Sequence, residues 1–218
     1  PLTVPFIAKE WGWRSAFFIT GAIGLIWLIF WFIYYEVPQR QKRLSKAELD
    51  YINAGDQIQE KIVESGKEPR IGYGQMLGFR QTWAFVLGKF LTDGIWWFYL
   101  FWLPKFLKAE YGLTKDDISF PIALVYIIAA VGSIFGGWLP MNLIKKGWPV
   151  FKARKTSMLI YACCALPVVT AQWLGTFDMW YAILIIGFAA SAHAAWSANI
   201  FTTVSDMFPK SAVGTVTG

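Results

Sequence analysis

SAFFITGAIGLIWLIFWFIYY, residues 15–35, carries no charged side chain over 21 consecutive positions. As an α-helix this run is about 31 Å long, enough to cross the hydrocarbon core of a bilayer. The chain of 218 residues is 56% hydrophobic, with a mean hydropathy of +0.43, and its apolar residues occur in long blocks. Soluble domains do not show this pattern. The sequence therefore predicts an all-α fold, a polytopic transmembrane helical bundle.

Further apolar blocks bring the predicted number of spans to about five, and they cover residues 83–104, 119–143, 156–174 and 179–204. The loops after the first and third spans are rich in cations, and the loop at 145–155 has five cations and no acid. Because cationic loops favour the cytoplasm, we expect the linker at 37–81 and the loop at 145–155 to be cytoplasmic in a multi-pass inner-membrane protein. These loops explain the net charge of +6, so we expect no nucleic-acid partner.

The polar segment between the first two spans has about 45 residues and too few apolar positions to bury a core of its own. Ser45-Lys-Ala-Glu48 has the spacing of a capping box, which predicts a short surface helix starting there. The chain begins at Pro1 rather than Met, and a new helix begins near Val213. We therefore expect the sequence to be an internal fragment of a larger membrane protein.

The second span contains a charged pair in an apolar setting. Lys89 and Asp93 lie four residues apart, and with Trp96 they share one stripe of a helix, flanked by Trp97 and Tyr99. A charge in hydrocarbon costs roughly 2.5–3.5 kcal/mol, so such residues face a cavity or a partner. A charged pair beside aromatic faces suits a polar, anionic, ring-shaped solute. The alternative is that Lys89 extends to the near interface and Asp93 only neutralises it.

The fifth span contains a second polar group of residues. His193 is the only histidine of the chain; Trp196 and Ser197 share its helix face, and Asn199 lies to one side. These residues suit contact with a hydroxylated solute, although a hydrogen bond from His193 to another helix is an equal alternative. A lone histidine predicts no metal site. Ser197 and His193 lack a third catalytic group, so we expect no enzyme.

The third span is rich in small residues. Gly132 and Gly136 are four residues apart, as are Ser133 and Gly137. Such spacing allows another helix to approach closely. The sequence therefore predicts that this span packs tightly against a neighbour.

Three stretches carry a resemblance to a known family. GWRSAF, residues 12–17, resembles the start of the sixth helix of major facilitator superfamily transporters. KFLTDGIWWFYLFWLP, residues 89–104, and AHAAWSANIFTTVSDMFP, residues 192–209, are similar to hexuronate transporters of the anion:cation symporter family. The resemblance implies that residues 1–36 are the last helix of the N-terminal half and residues 37–81 the linker between halves. Residues 82–218 are then a truncated C-terminal half, with four spans and the start of another helix.

The resemblance implies secondary active transport. We expect import of an acidic sugar, such as galacturonate or glucuronate, with protons by alternating access, without a cofactor, and by a monomer at full length. The implied partners are a small organic anion, protons and the lipid bilayer, and the proton-carrying acids are expected in the absent first half. The alternatives are a transporter of another organic anion, such as an aldonate or glucarate, and a sensor that binds a sugar acid without moving it.

A loop motif of the superfamily is also recognisable. GWLPMNLIKKG, residues 137–147, resembles its cytoplasmic loop motif, whose members here are Gly137, Lys145, Lys146 and, further on, Arg154. Met141 stands where an aspartate is usual, and Asn142 where a basic residue is usual. The resemblance therefore implies a conformational latch in this half that is weak or differently built.

Overall fold

The computed structural model describes residues 3–38, 40–41, 43–50, 72–114, 117–208 and 210–217. These residues form helices and no strand, which confirms the all-α prediction. The helices with both ends inside the described residues are α1 (Thr3–Tyr34), α2 (Tyr73–Met76), α3 (Arg80–Tyr111), α4 (Ser119–Lys145), α5 (Val150–Ala165), a 3₁₀ turn (Leu166–Thr170), α6 (Ala171–Gly175), α7 (Met179–Met207) and α8 (Lys210–Thr217).

The chain divides into two units, of which the smaller covers residues 6–70. In it, α1 is interrupted at Gly12, whose φ of 81° lies in the left-handed region that favours glycine. The charge-free run follows this break. Trp31 stacks on both Trp27 and Tyr35, with ring centroids 5.2 Å and 4.4 Å apart. This aromatic column lies at the end of the helix, as is typical of a membrane interface.

The predicted capping box is confirmed. The Ser45 amide and hydroxyl donate to Glu48 Oε2 at 3.0 Å and 2.9 Å, and the Glu48 amide donates to Ser45 Oγ at 3.2 Å. The hydrogen bonds from the Ser45 backbone and side chain lower the pKa of Glu48. A helix begins at Lys46, and the part of the predicted linker at residues 51–71 lies outside the described residues.

Four helical segments in the described part of the chain are long and apolar enough to cross a membrane: Thr3–Tyr34, Ser119–Lys145, Val150–Gly175 and Met179–Met207. The predicted second span is not among them. It lies on α3, which has 32 residues and sufficient length. Because Lys89 and Asp93 lie within its apolar part, they lower its hydropathy. The same charges make this helix a candidate for function.

The larger unit, residues 71–218 with 1–5, is built around α7. One core cluster joins Leu103 and Leu107 of α3 to Val125 of α4 and to Ile183 and Ile186 of α7. Burying one such side chain stabilises the fold by about 1.5–3 kcal/mol relative to exposure in water. The central position of α7 explains why the polar residues of the fifth span have neighbours on several helices.

Small residues set the distance between α4 and α7. A β-carbon added at Gly136 would be 2.8 Å from the backbone of Ala195, so only glycine permits this approach. Gly132 likewise lies directly against Ser191. The predicted close approach is therefore confirmed for this pair of glycines. Ser133 and Gly137 are exposed instead, and a β-carbon at Gly137 would meet nothing within 4 Å.

Candidate functional site

The Lys89 amine is the centre of a polar group formed by α3 and α7. Its Nζ donates to Asp93 Oδ1 at 2.5 Å, one turn along the same helix, and to Ser197 Oγ at 3.3 Å on the other helix. The amine also lies 4.6 Å from the centroid of the Phe201 ring. The side chain of Lys89 is 22% exposed and that of Asp93 is 42% exposed. The pair is accessible, and its charges offset each other.

The position of the amine follows from helix geometry. Residues four apart lie on the same face of a helix, which brings Asp93 to Lys89 on α3. The same spacing on α7 places His193, Ser197 and Phe201 on one face. Where these two faces meet, the amine has a carboxylate, a hydroxyl and an aromatic ring as neighbours. Asp93 neutralises Lys89, and the amine is directed towards α7.

His193 lies one turn before Ser197 and contacts α3. Its Nε2 is 2.9 Å from the carbonyl oxygen of Thr92. Because a carbonyl only accepts, Nε2 carries the hydrogen in this contact. Nδ1 is buried and has no hydrogen-bond partner among the residues that the structure describes. A neutral ring would therefore leave one buried acceptor available to a donor.

An aromatic wall completes the site. The Trp96 ring stacks on the His193 ring, with centroids 6.0 Å apart and planes inclined by 12°. The Tyr126 ring of α4 meets Trp96 edge-on at 5.7 Å. Trp96 and Tyr126 also border a closed space of only about 10 Å³. The wall is therefore packed from behind, and its orientation is set by three helices.

The structure brings together Lys89, Asp93, Trp96, His193 and Ser197 among the predicted site residues. Of the remaining four, Tyr99 borders the same small space as Trp96 and Tyr126, and the other three have other surroundings. Trp97 is exposed and stacks on Phe101 at 6.0 Å. Tyr99 and Trp196 border apolar cavities of about 550 Å³ and 620 Å³, respectively.

Asn199 points into the contact between α4 and α7. Its Nδ2 donates to the carbonyl oxygens of Gly136 at 2.6 Å and Ala195 at 3.1 Å. The residue is 1% exposed. This geometry gives Asn199 a packing contact between helices and separates it from the group around Lys89.

Sequence analysis did not select three neighbours of the site: Thr92, Tyr126 and Phe201. Phe201 could have been found, because it is four residues after Ser197 and eight after His193 on one face. Thr92 contributes a backbone carbonyl, and its side chain bonds to Gly88 O. Nothing in the sequence around Tyr126 distinguishes it from the other aromatic residues of the spans.

The residues of the loop motif lie in the second half of α4, in the turn that follows it and in the first turns of α5. Lys145 ends α4, and Lys146 follows it as the helix cap. Arg154 of α5 forms an ion pair with Asp206 near the end of α7, with Nη2 at 3.4 Å from Oδ1. The predicted Gly137 and the atypical Met141 are exposed. An ion pair thus connects α5 and α7.

No group of three or more histidine, cysteine, aspartate or glutamate side chains within the described residues could hold a metal ion. The chemistry of the site is that of one cation, one carboxylate, a hydroxyl, an imidazole and aromatic faces. These groups can bind an anion, stack on a ring and exchange hydrogen bonds with hydroxyl groups.

Comparison with known proteins gives consistent results. The family model described as Major Facilitator Superfamily matches residues 1–218. The chain is 31% identical over 219 residues to a hexuronate transporter of Escherichia coli (strain K12), covering 100% of this chain and 49% of that protein. It is 32% identical over 197 residues to a galacturonate transporter of Dickeya chrysanthemi, covering 89% and 54%.

A D-galactonate transporter of Escherichia coli O6:H1 is 29% identical over 211 residues, covering 95% of this chain and 49% of that protein. The chain therefore spans about half the length of the curated relatives it matches. All three relatives are transporters that are named for sugar acids.

Proposed function

The chain belongs to the Major Facilitator Superfamily, and on that premise we propose that the complete protein imports a hexuronate together with protons by alternating access. Its apolar helices make it a multi-pass membrane protein. The names of its relatives support an acidic sugar such as galacturonate or glucuronate as substrate. The family consists of transporters, so the chain is assigned no catalytic role.

The observation that carries the proposal is the partly buried Lys89 amine beside an aromatic wall. Lys89 lies within the predicted second span, where a charge carries a high free-energy cost and therefore usually has a function. The amine reaches Ser197 on a second helix at 3.3 Å, so its polar contacts join α3 to α7. In the proposed role, Lys89 binds the carboxylate of the sugar acid by a charge-assisted hydrogen bond.

The neighbouring groups suit the rest of a sugar acid. Trp96 is only partly buried, and the part of its ring that His193 does not cover can pack against a pyranose ring. Ser197 can exchange hydrogen bonds with a hydroxyl group, and the unpaired His193 Nδ1 can accept one from a hydroxyl group once the site opens. Asp93 holds Lys89 in place. Substrate contacts from Trp97, Tyr99, Trp196 and Asn199 are predicted from the sequence as well. The bonds of Asn199 to Gly136 and Ala195 favour a role in helix packing for that residue instead.

The arrangement in the membrane is proposed from the charge pattern. The linker at 37–81 and the loop at 145–155 lie in the cytoplasm of an inner-membrane protein, following the positive-inside rule. The full-length protein works as a monomer, without a cofactor and without nucleic acid. In the movement between outward-open and inward-open states, the Arg154–Asp206 pair is the latch of this half.

Uptake of labelled galacturonate by cells expressing the full-length protein tests the proposal. We expect accumulation that collapses when a protonophore removes the proton gradient. Accumulation that survives the protonophore contradicts proton coupling. Absence of uptake, with other sugar acids competing for binding, contradicts the hexuronate assignment.

A second candidate is an aldonate transporter, which the similarity to a D-galactonate transporter favours. Labelled galactonate in the same assay distinguishes the two, because the better substrate has the higher kcat/KM. A sensor would bind the sugar acid and accumulate none of it in vesicles.

A further inference from the structure

We propose that Asp93 determines specificity for charge: beside Lys89, it favours sugar acids with a single carboxylate and disfavours dicarboxylic sugar acids. This inference rests on the proposed function and assigns the substrate class of the same site. A hexuronate has one carboxylate, whereas an aldarate has one at each end. Distinguishing the two requires a site that penalises the second negative charge.

The charge pair at the site is already neutral before a substrate arrives. Lys89 Nζ is 2.5 Å from Asp93 Oδ1, so the cation is already paired with one carboxylate of the protein. The Asp93 side chain is also the more exposed of the two, at 42% against 22%. A substrate that reaches Lys89 therefore comes close to a carboxylate as well as to the amine. Its first carboxylate shares the cation with Asp93.

Among the described residues of α3, α4 and α7, no second cation lies near Lys89 to meet a second carboxylate. The other contacts of Lys89 are the Ser197 hydroxyl and the Phe201 ring, and neither is charged. Along α3, the nearest cations are Arg80 and Lys105, about 14 Å and 24 Å away by helix rise. Helix α7 has no lysine or arginine, and α4 has one only at its end, Lys145.

The size of the effect follows from Coulomb's law. If the second carboxylate lies about 8 Å from Asp93, at an effective dielectric constant of about 20, the repulsion between the two charges weakens binding by roughly 30-fold. Screening and relaxation reduce this value, so we expect about tenfold from the Asp93 charge. Removing that charge while keeping the side-chain shape should abolish the penalty for the second carboxylate. Hydrogen bonding between residue 93 and Lys89 is retained by asparagine.

The test measures competition in the full-length protein reconstituted into liposomes. Unlabelled galacturonate and unlabelled galactarate each inhibit uptake of labelled galacturonate, and the ratio of the two inhibition constants is the readout. In the wild type, galactarate should inhibit at least tenfold more weakly. In Asp93→Asn the ratio should fall by about tenfold, whereas Asp93→Glu, which keeps the charge, should leave it unchanged.

Asp117→Asn is the matched control. Asp117 is bonded to Thr114 in a loop outside the site, so its loss should not change the ratio. For any variant that binds without transporting, thermal shifts of the purified protein at varied ligand concentration give the ratio of the affinities for galacturonate and galactarate. If Asp93→Asn does not fold, Asp93→Gln replaces it, because it also removes the charge and keeps an amide that can accept a hydrogen bond from Lys89.

The outcomes separate the two proposals. An unchanged ratio in Asp93→Asn, or equal inhibition by both acids in the wild type, overturns the inference and leaves the hexuronate function standing. Failure of the wild type to bind or transport any sugar acid overturns the proposed function, and the inference with it.

Discussion

Asn199 of α7 donates a hydrogen bond of 2.6 Å to the carbonyl oxygen of Gly136 on α4. The bond is possible because Gly136 has no side chain and the two helices approach closely at this level. Along α7 the contact lies about half a turn from Ser197 and less than two turns from His193. It therefore sets the rotation of the helix that presents these side chains to Lys89.

Gly136→Ala should lower the stability of the full-length protein by about 1–3 kcal/mol, because its β-carbon would lie 2.8 Å from the Ala195 backbone. The thermal unfolding midpoint in detergent measures the effect. Gly137→Ala is the matched control, since its β-carbon would meet nothing within 4 Å. Equal midpoints for the two variants would show that the close approach is not needed.

Lys89→Ala should raise the apparent KM for the hexuronate by about 10–100-fold, which is the loss of one hydrogen bond to a charged group. Initial rates of uptake at varied substrate concentration measure it. Lys105→Ala is the control on the same helix, because the Lys105 amine lies over the Trp102 ring. An unaltered KM in Lys89→Ala would show that the Lys89 amine does not bind the substrate.

Asp93→Asn should leave proton coupling intact. Asp93 is held by Lys89 at 2.5 Å, and from the family resemblance we expect the proton-carrying acids in the other half. Uptake by this variant should still collapse with a protonophore, whatever its preference among substrates. Uncoupled downhill exchange in Asp93→Asn would refute this prediction and make the carboxylate a proton carrier.

His193→Phe should keep the stacking on Trp96 but remove the acceptor at Nδ1. We expect the affinity for the hexuronate to fall by about 2–10-fold, as for one hydrogen bond between neutral groups. The measurement compares galacturonate with its deoxy analogues in wild type and variant. One deoxy analogue should bind less tightly than galacturonate to the wild type and equally to the variant. If every analogue is discriminated as before, His193 acts only through its bond to Thr92.

Arg154→Ala and Asp206→Ala should each slow transport, because each removes half of the ion pair between α5 and α7. The exchange variant Arg154→Asp/Asp206→Arg should recover part of the rate, which a purely local effect of either residue would not allow. Lys152→Ala is the control, as its amine lies over the Trp148 ring. Uptake rates at saturating substrate measure the difference.

Local features of this chain were predictable because their causes are local. The capping box at Ser45 and Glu48 requires only residues three apart. Pro167 marks the point where the predicted fourth span changes into the 3₁₀ turn Leu166–Thr170, since proline cannot continue an α-helical hydrogen-bond ladder. The pairing of Lys89 with Asp93 follows from helical spacing in the same way.

The sequence by itself determined the class of the fold and the faces of each helix. In lipid, every backbone group must bond within its own segment, so an apolar run of sufficient length has to be a helix. The tertiary structure alone decided which faces meet: Lys89 with Ser197, and Asn199 with Gly136 rather than with Lys89. Periodicity shows which residues share a face, but the rotation and partner of a helix depend on packing against small residues of another helix.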